Sequence, residues 1–427
     1  MIKKSTTNSD TMESKKCSSS VISSIINDYD KCTKEQNSIK INAKEKWRNV
    51  EEDVIVKCFN SPVPSSKILG FDLDSTLIVF DGNKKANKNS THSKSYELQF
   101  DKKIIVDKIT EYVKKGYLIV IFTNQNTEEI KNNESAWTTK IDNLIKNELN
   151  FPLIVICAKS KNFYRKPSIG MFEIVKEFNQ GMEIDLKNSI YVGDSAGRKK
   201  ALGYDVNDYK DVDVKFAYNI GFMFYVPEAF FLNKSNKYPS LEEKIKKMHL
   251  YDKNDNDHIN FNNKLEAIIF IGPPGSGKST FCEEILTPKN YIRINQDTLK
   301  TRAKVIAEIK KNLEGNKNVV IDSTNYEKNK RKEYIKIIRG YKDYKIRCFW
   351  IDISKELCFH LNNLRNINKN RVQFSESVPK MVIHTYYKYL NPPTSEEGFD
   401  EIINVNFVPR FKNEEDKMLF YCLSEDS

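Results

Sequence analysis

Apolar residues along this chain come in short runs of strand length, separated by charged stretches with helical spacing. Ile68–Phe71, Leu118–Thr123, Leu153–Ala158 and Ser189–Val192 are such runs. Between them, Ile104, Ile105, Lys108, Ile109 and Tyr112 recur at three- and four-residue intervals within Ile104–Lys114, and Lys140–Leu149 repeats that spacing. Short apolar runs alternating with amphipathic stretches predict parallel strands with helices on both faces of the sheet. A second series starts at Ala267–Ile271 and continues through Asn318–Ile321 and Ile346–Ile351. The chain is expected to be α/β, with two doubly wound parallel-sheet domains. Such sheets bind ligands outside the carboxyl ends of their strands, so the residues following each run are where chemistry is sought.

The stretches outside this rhythm give the expected boundaries. Residues 1–45 are polar apart from Val21–Ile26 and read as a flexible tail. Residues 46–232 form the first domain. Residues 233–263 are rich in Lys, Asn and Asp, contain Pro239, and read as a linker with one amphipathic helix at Leu241–Met248. Residues 264–427 form the second domain. A 427-residue chain suits two or three domains, and 39% hydrophobic residues excludes a wholly disordered one. The 69 Lys+Arg against 58 Asp+Glu leave a net charge of +11, which favours a polyanionic partner. No run approaches the ~18 apolar residues of a membrane span. Lys3 and Lys4 are not followed by the apolar core of a secretory signal. The 8 cysteines are scattered without a CxxC pair, which argues against a disulfide framework or zinc ribbon and for a reducing compartment.

The first candidate chemistry follows Ile68–Phe71 directly, in Asp72-Leu73-Asp74-Ser75-Thr76. A turn after a strand explains one Asp; two with a single residue between them ask for more. Alternate residues of an extended segment share a side, so both carboxylates can face one pocket. One can attack a phosphorus while the other protonates the leaving oxygen and later activates water. Two anions beside a phosphate call for a cation, and Mg²⁺ suits oxygen ligands. Thr123-Asn124-Gln125 ends the next run and offers a hydroxyl and backbone N–H groups to phosphate oxygens. Lys166, in Tyr164-Arg165-Lys166-Pro167, can offset phosphoryl charge. Gly193-Asp194-Ser195-Ala196-Gly197-Arg198 supplies a further metal-binding acid in Asp194, and Asp213 offers either a second such acid or a surface turn residue.

The second is Gly272-Pro273-Pro274-Gly275-Ser276-Gly277-Lys278-Ser279-Thr280, a complete G-x-x-x-x-G-K-[ST] after an apolar run and before a helical stretch. Gly272, Gly275, Ser276, Gly277 and Thr280 shape a loop around the phosphates of ATP; Lys278 reaches the β/γ-phosphates and Ser279 ligates Mg²⁺. Asp297, at the end of Tyr291–Asn295, can take the proton of an attacking hydroxyl. Asp322 ends Val319–Ile321, where a Walker B-like or substrate-orienting acid falls. Arg365 and Arg371, in the basic stretch after Ile346–Ile351, can cover a transferring phosphoryl group.

The first constellation resembles the haloacid-dehalogenase-type phosphatases. That resemblance implies Asp72 as a nucleophile forming an aspartyl-phosphate, Asp74 as general acid/base, Thr123 and Lys166 as phosphate ligands, and Asp72, Asp74 and Asp194 at Mg²⁺. The usual pattern has Gly where this chain has Ser75. Taken together, the two sites resemble the polynucleotide kinase 3′-phosphatase family of DNA end-processing enzymes over roughly Trp47 to Pro409. Val226-Pro227-Glu228-Ala229-Phe230-Phe231-Leu232 and Glu397-Gly398-Phe399 are similar to that family as well. The resemblance implies removal of DNA 3′-phosphates, ATP-dependent phosphorylation of 5′-hydroxyls with Asp297 as base and Arg365 in the lid, and a role in nuclear DNA repair, with an organellar pool open. It also implies a monomer. Fewer than ~60 residues precede the catalytic region, too few for a forkhead-associated domain, so scaffold binding by that route is not expected. Gln296 stands where a basic residue is expected, and only part of an arginine pair marks the lid. An active 3′-phosphatase with a degenerate kinase half, or an RNA end-healing enzyme, stay open as alternatives.

Overall fold

The computed structural model describes residues 46–425 except 52, 80–95, 126, 252–253, 262–264 and 368–377. The expected tail and Arg371 lie outside the described residues. The chain divides into two compact units, the first reaching Ile245 and taking up Phe411–Glu425 again, the second holding Lys246–Arg410.

The first unit is built on seven strands: β1 Arg48–Glu51, β2 Val54–Phe59, β3 Ile68–Phe71, β4 Leu118–Asn124, β5 Leu153–Ala158, β6 Ile190–Val192 and β7 Met223–Tyr225. Their order across the sheet is β1-β2-β5-β4-β3-β6-β7. Every residue of β3 and β5 is buried, which is why these runs are apolar throughout instead of alternating. The helix Lys102–Lys114 starts at Asp101, whose side chain accepts from the Lys103 backbone N–H. It buries Ile105 and Ile109 in one cluster with Leu69, Phe71, Ile119 and Ile121. Each such side chain contributes about 1.5–3 kcal/mol to folding. The parallel core expected from the sequence is present from β5 to β7. One edge departs from it, since β1 and β2 form a hairpin and β2 runs antiparallel to β5. Asp53 in that hairpin accepts from Ser160 Oγ (2.6 Å) and Asn162 Nδ2 (2.6 Å), tying down the loop that leads to Lys166.

The second unit carries five parallel strands: β8 Glu266–Ile271, β9 Ile292–Asn295, β10 Val319–Asp322, β11 Lys345–Trp350 and β12 Glu401–Asn404, in the order β9-β10-β8-β11-β12. Beneath the sheet, the fully buried Arg331 donates Nε to Glu397 Oε2 (2.8 Å) and Nη2 to Glu397 Oε1 (2.6 Å). Glu397 therefore serves the core of this unit.

Two boundaries differ from expectation. Part of the stretch read as a linker belongs to the second unit: Asn254 Nδ2 donates to the Phe407 carbonyl (2.9 Å), and Asn406 N–H donates to Asn256 Oδ1 (2.8 Å). The end of the stretch assigned to the second domain belongs to the first unit, where the helix Glu414–Tyr421 buries Met418, Leu419 and Phe420. Among the described residues no helix is long and apolar enough to cross a membrane. The described cysteines are free, and burial pushes thiols such as Cys58 and Cys358 up to about 11, so neither is an activated nucleophile.

Candidate active sites

Asp72 follows β3 and its N–H donates to the Val192 carbonyl (2.8 Å), so the chain leaves the sheet beside the end of β6. Thr123 and Asn124 close β4, the neighbour of β3 on its other side. Asn124 holds the backbone of Lys166 twice, donating to its carbonyl (3.0 Å) and accepting from its N–H (2.9 Å). Lys166 then extends between two acids, with Nζ 2.6 Å from Asp72 Oδ1 and 2.8 Å from Asp213 Oδ1, and it also donates to Tyr191 Oη (2.7 Å). Tyr191 passes a hydrogen bond on to Asp213 Oδ1 (3.0 Å). Asp213 Oδ2 accepts from the Ser195 N–H (3.0 Å), fixing the turn that carries Asp194. A Cβ at Gly193 would meet Asp213 Cγ at 2.6 Å, so only glycine lets this turn approach the acid.

Carboxylate oxygens of Asp72, Asp194 and Asp213 lie within 4.8 Å of one another. Burial pushes the Asp72 carboxyl well above the ordinary range; the Lys166 ammonium opposes this, while Asp213, Asp194 and Asp74 add to it. Asp194 is pushed up to about 7, by burial first and then by Asp213. Burial acts to lower Lys166, but Asp213 and Asp72 outweigh it and hold the ammonium above its usual value. Three acids facing one ammonium leave an excess of negative charge, and an oxygen-only donor set fits a hard divalent cation.

The Asp74 side chain is not in that carboxylate group, against expectation; Asp213 takes the third place. Asp74 Oδ2 instead accepts from Gln125 Nε2 (2.8 Å), whose other hydrogen goes to Thr123 Oγ1 (2.8 Å). One carboxamide thus aligns the expected acid/base with the expected phosphate ligand. Ser75, where Gly is usual, has φ 61°. That left-handed conformation costs a side-chain-bearing residue about 1–2 kcal/mol. Ser75→Gly should therefore stabilise the first unit by about 1 kcal/mol, read as a higher denaturant midpoint at unchanged slope; an unchanged or lowered midpoint would refute the strain.

In the second unit the loop after β8 closes on itself. Gly275 has φ +81°, and its missing Cβ would sit 3.8 Å from Cζ of Arg365. The guanidinium thus lies against the phosphate loop. Lys278 is folded over the same loop and donates to the carbonyls of Gly272 (2.9 Å) and Pro273 (2.7 Å). Burial pushes Lys278 down to about 8, partly offset by Asp322. Ser279 Oγ donates to Asp322 Oδ2 (3.0 Å), the oxygen that also receives Arg293 Nε (2.8 Å) and Asn295 Nδ2 (3.1 Å). Ser279 and Asp322 form a second all-oxygen pair suited to a divalent cation. Asp297 sits exposed in the short helix Gln296–Leu299, next along the edge, since Asn295 pairs with Asp322 across β9 and β10. Gln296 Oε1 accepts from Ser323 Oγ (3.4 Å), a neutral contact where a basic residue is expected.

Of the residues singled out in the sequence, Asp72, Asp74, Thr123, Lys166 and Asp194 lie in the first group, Lys278, Ser279, Asp322 and Arg365 in the second, Asp297 on the exposed helix beside it, and Arg371 outside the described residues. Tyr191, Gln125 and Arg293 escape pattern reading because the partners that define them are remote in sequence, and Asp213, which the pattern leaves open between a metal-binding acid and a turn residue, is placed by Lys166, 47 positions away.

Residues 67–231 match the family described as Polynucleotide kinase 3 phosphatase, and residues 268–393 match an AAA domain. A putative bifunctional polynucleotide phosphatase/kinase of Acanthamoeba polyphaga mimivirus is 34% identical over 375 residues, 80% of this chain and 85% of that one. The bifunctional polynucleotide phosphatase/kinase of Schizosaccharomyces pombe is 31% identical over 362 residues, 84% of either chain. A polynucleotide 3′-phosphatase of Arabidopsis thaliana is 31% identical over 205 residues, 44% of this chain and 27% of that one.

Proposed function

This chain belongs to the bifunctional polynucleotide phosphatase/kinase family, and we propose that it heals both ends of a broken DNA strand, each unit treating one. The observation that carries the reading is that each unit holds one phosphoryl-handling group at the carboxyl ends of its own parallel strands.

In the first unit, Asp72 attacks the phosphorus of a 3′-phosphate and the bond to the 3′-oxygen breaks. Asp74, aligned by Gln125, gives its proton to that oxygen. It then takes a proton from water, which attacks the aspartyl-phosphate and frees inorganic phosphate and Asp72. Thr123 and Lys166 hold the phosphoryl oxygens throughout. Mg²⁺ held by Asp72, Asp194 and Asp213 would neutralise the charge that these acids and the phosphate share. In the second unit, Asp297 takes the proton of a 5′-hydroxyl, and the oxygen attacks the γ-phosphorus of ATP with ADP leaving. Lys278 and Arg365 balance charge on the transferring group, and Ser279 with Asp322 would hold the nucleotide's Mg²⁺. Arg365 against Gly275 and the Ser279–Asp322 contact favour a competent kinase over a degenerate one. DNA repair in the nucleus follows as the setting, and the net charge of +11 suits a substrate bound through its phosphates.

The test is a gapped duplex bearing a 3′-phosphate and a 5′-hydroxyl. With Mg²⁺ and ATP both ends should be converted; without ATP only the 3′-phosphate should be lost; with chelator neither should change. RNA ends that outcompete DNA ends would move the substrate class to RNA. Failure to convert either end with Mg²⁺ and ATP would sink the reading.

Lys278 gives the kinase a specific pH dependence. Its charged form prevails below about 8 in the nucleotide-free site and is lost as pH rises through that value. kcat/KM for ATP reports the free enzyme, so it should fall above about pH 8. The limb in kcat should lie at higher pH, because bound phosphates restore the ammonium. A kcat/KM that stays flat up to pH 10 would contradict this.

A further inference from the structure

We propose that the carboxyl-terminal segment 411–425 is a working part of the phosphatase, and that Asn219 is the positioning residue through which it holds Lys166. The inference rests on the phosphatase reading above. The chain returns to the first unit after Arg410. There Asn413 caps the helix Glu414–Tyr421 by accepting from the Asp416 N–H (2.8 Å), and Phe411 packs on Phe420 with ring centroids 5.4 Å apart. Beyond the helix the backbone docks on a single carboxamide. Leu423 N–H donates to Asn219 Oδ1 (2.8 Å), and Asn219 Nδ2 donates back to the Leu423 carbonyl (2.9 Å). The second hydrogen of that amide goes to the carbonyl of Pro167 (2.7 Å), the residue after Lys166.

Asn219 is only 5% exposed, and both amide hydrogens and its oxygen are engaged. Loss of Leu423 would remove two of the three hydrogen bonds that fix this carboxamide and leave it free to turn away from Pro167. The same segment holds the helix Val212–Ile220 at a second point, where the buried Lys215 donates Nζ to the Ser424 carbonyl (2.9 Å) and pairs with Asp211 (3.0 Å). That helix carries Asp213 in its first turn. Both partners of the Lys166–Asp213 contact therefore bear on the segment, one through Pro167 and one through the helix. Displacements near 1 Å at a reacting centre cost up to ~10²-fold in rate.

The test compares the full chain with a truncation after Tyr421 and with Asn219→Ala. Phosphatase kcat should fall ~10- to 100-fold with KM nearly unchanged, and kinase activity should persist. A synthetic peptide of residues 411–427, added to a truncation after Arg410, should restore part of the phosphatase rate. Deuterium exchange should rise over 163–169 and stay protected over 118–124. Phosphatase kcat within twofold of the full chain, or unchanged exchange over 163–169, would overturn the proposal. Exchange rising equally over 118–124 would also overturn it, marking a role in overall folding. A full chain without phosphatase activity would refute the functional reading instead, and the exchange data would still decide the brace.

Discussion

Asp72→Asn should abolish 3′-phosphate removal while 5′-phosphorylation continues at the full rate. The substitution keeps the shape and removes the proposed nucleophile, so on that reading no aspartyl-phosphate can form. Loss of a nucleophile that acts as one unit with its partners costs about 10⁴-fold or more. The surroundings of Asp72 make a purely structural effect small. Its Oδ1 faces Lys166 at 2.6 Å, an oxygen that the amide retains. Lys166 still keeps Asp213 at 2.8 Å and Tyr191 at 2.7 Å as partners. The measurement is single-turnover release of phosphate from a 3′-phosphorylated oligonucleotide, with phosphate transfer to a 5′-hydroxyl run in parallel. A residual phosphatase rate within tenfold of wild type would remove Asp72 from the role of nucleophile.

Lys278→Ala should do the converse. The ammonium is buried at the base of the phosphate loop, where burial lowers it to about 8 and it leans on the carbonyls of Gly272 and Pro273. A charge preorganised in that way acts where water is excluded, and deleting it costs about 10²–10³-fold in kcat. The phosphatase should be untouched, since the described residues of its site all come from the first unit. Equal loss of both activities, in a protein whose melting is unchanged, would contradict two separate sites.

Much of this was readable from the chain because the chemistry is local to strand ends. Asp72 and Asp74 follow β3, Thr123 lies at the end of β4, and the phosphate loop follows β8, each marked by a buried apolar run that pattern alone finds. What stayed hidden is held by contacts between distant segments. Asp213 reads in sequence as either a metal-binding acid or a surface turn residue, and its contacts with Lys166 and Tyr191 decide between the two. Gln125 reads as a strand-end polar residue, and its bridge from Asp74 to Thr123 exists only once β3 and β4 are paired. The strand Val54–Phe59 is nearly as apolar as those of the parallel core, so its pattern does not give its antiparallel direction. The stretch holding the helix Glu414–Tyr421 is expected in the second domain; its place in the first unit rests on partners such as Asn219, some two hundred positions before Leu423. Ser75 illustrates the opposite case, a departure from a familiar pattern whose cost is visible only in its positive φ.

The central claim is that one chain carries two independent end-healing sites. It is tested most directly on a nicked duplex with a 3′-phosphate and a 5′-hydroxyl at the nick, supplied with Mg²⁺, ATP and a DNA ligase. Wild type should yield ligated product. Asp72→Asn should leave the 3′-phosphate beside a new 5′-phosphate, and Lys278→Ala should leave a 3′-hydroxyl beside the old 5′-hydroxyl. Mixed in equal amounts, the two variants should restore ligation. Loss of both conversions in either folded variant, or a mixture that fails to restore ligated product, would contradict the account.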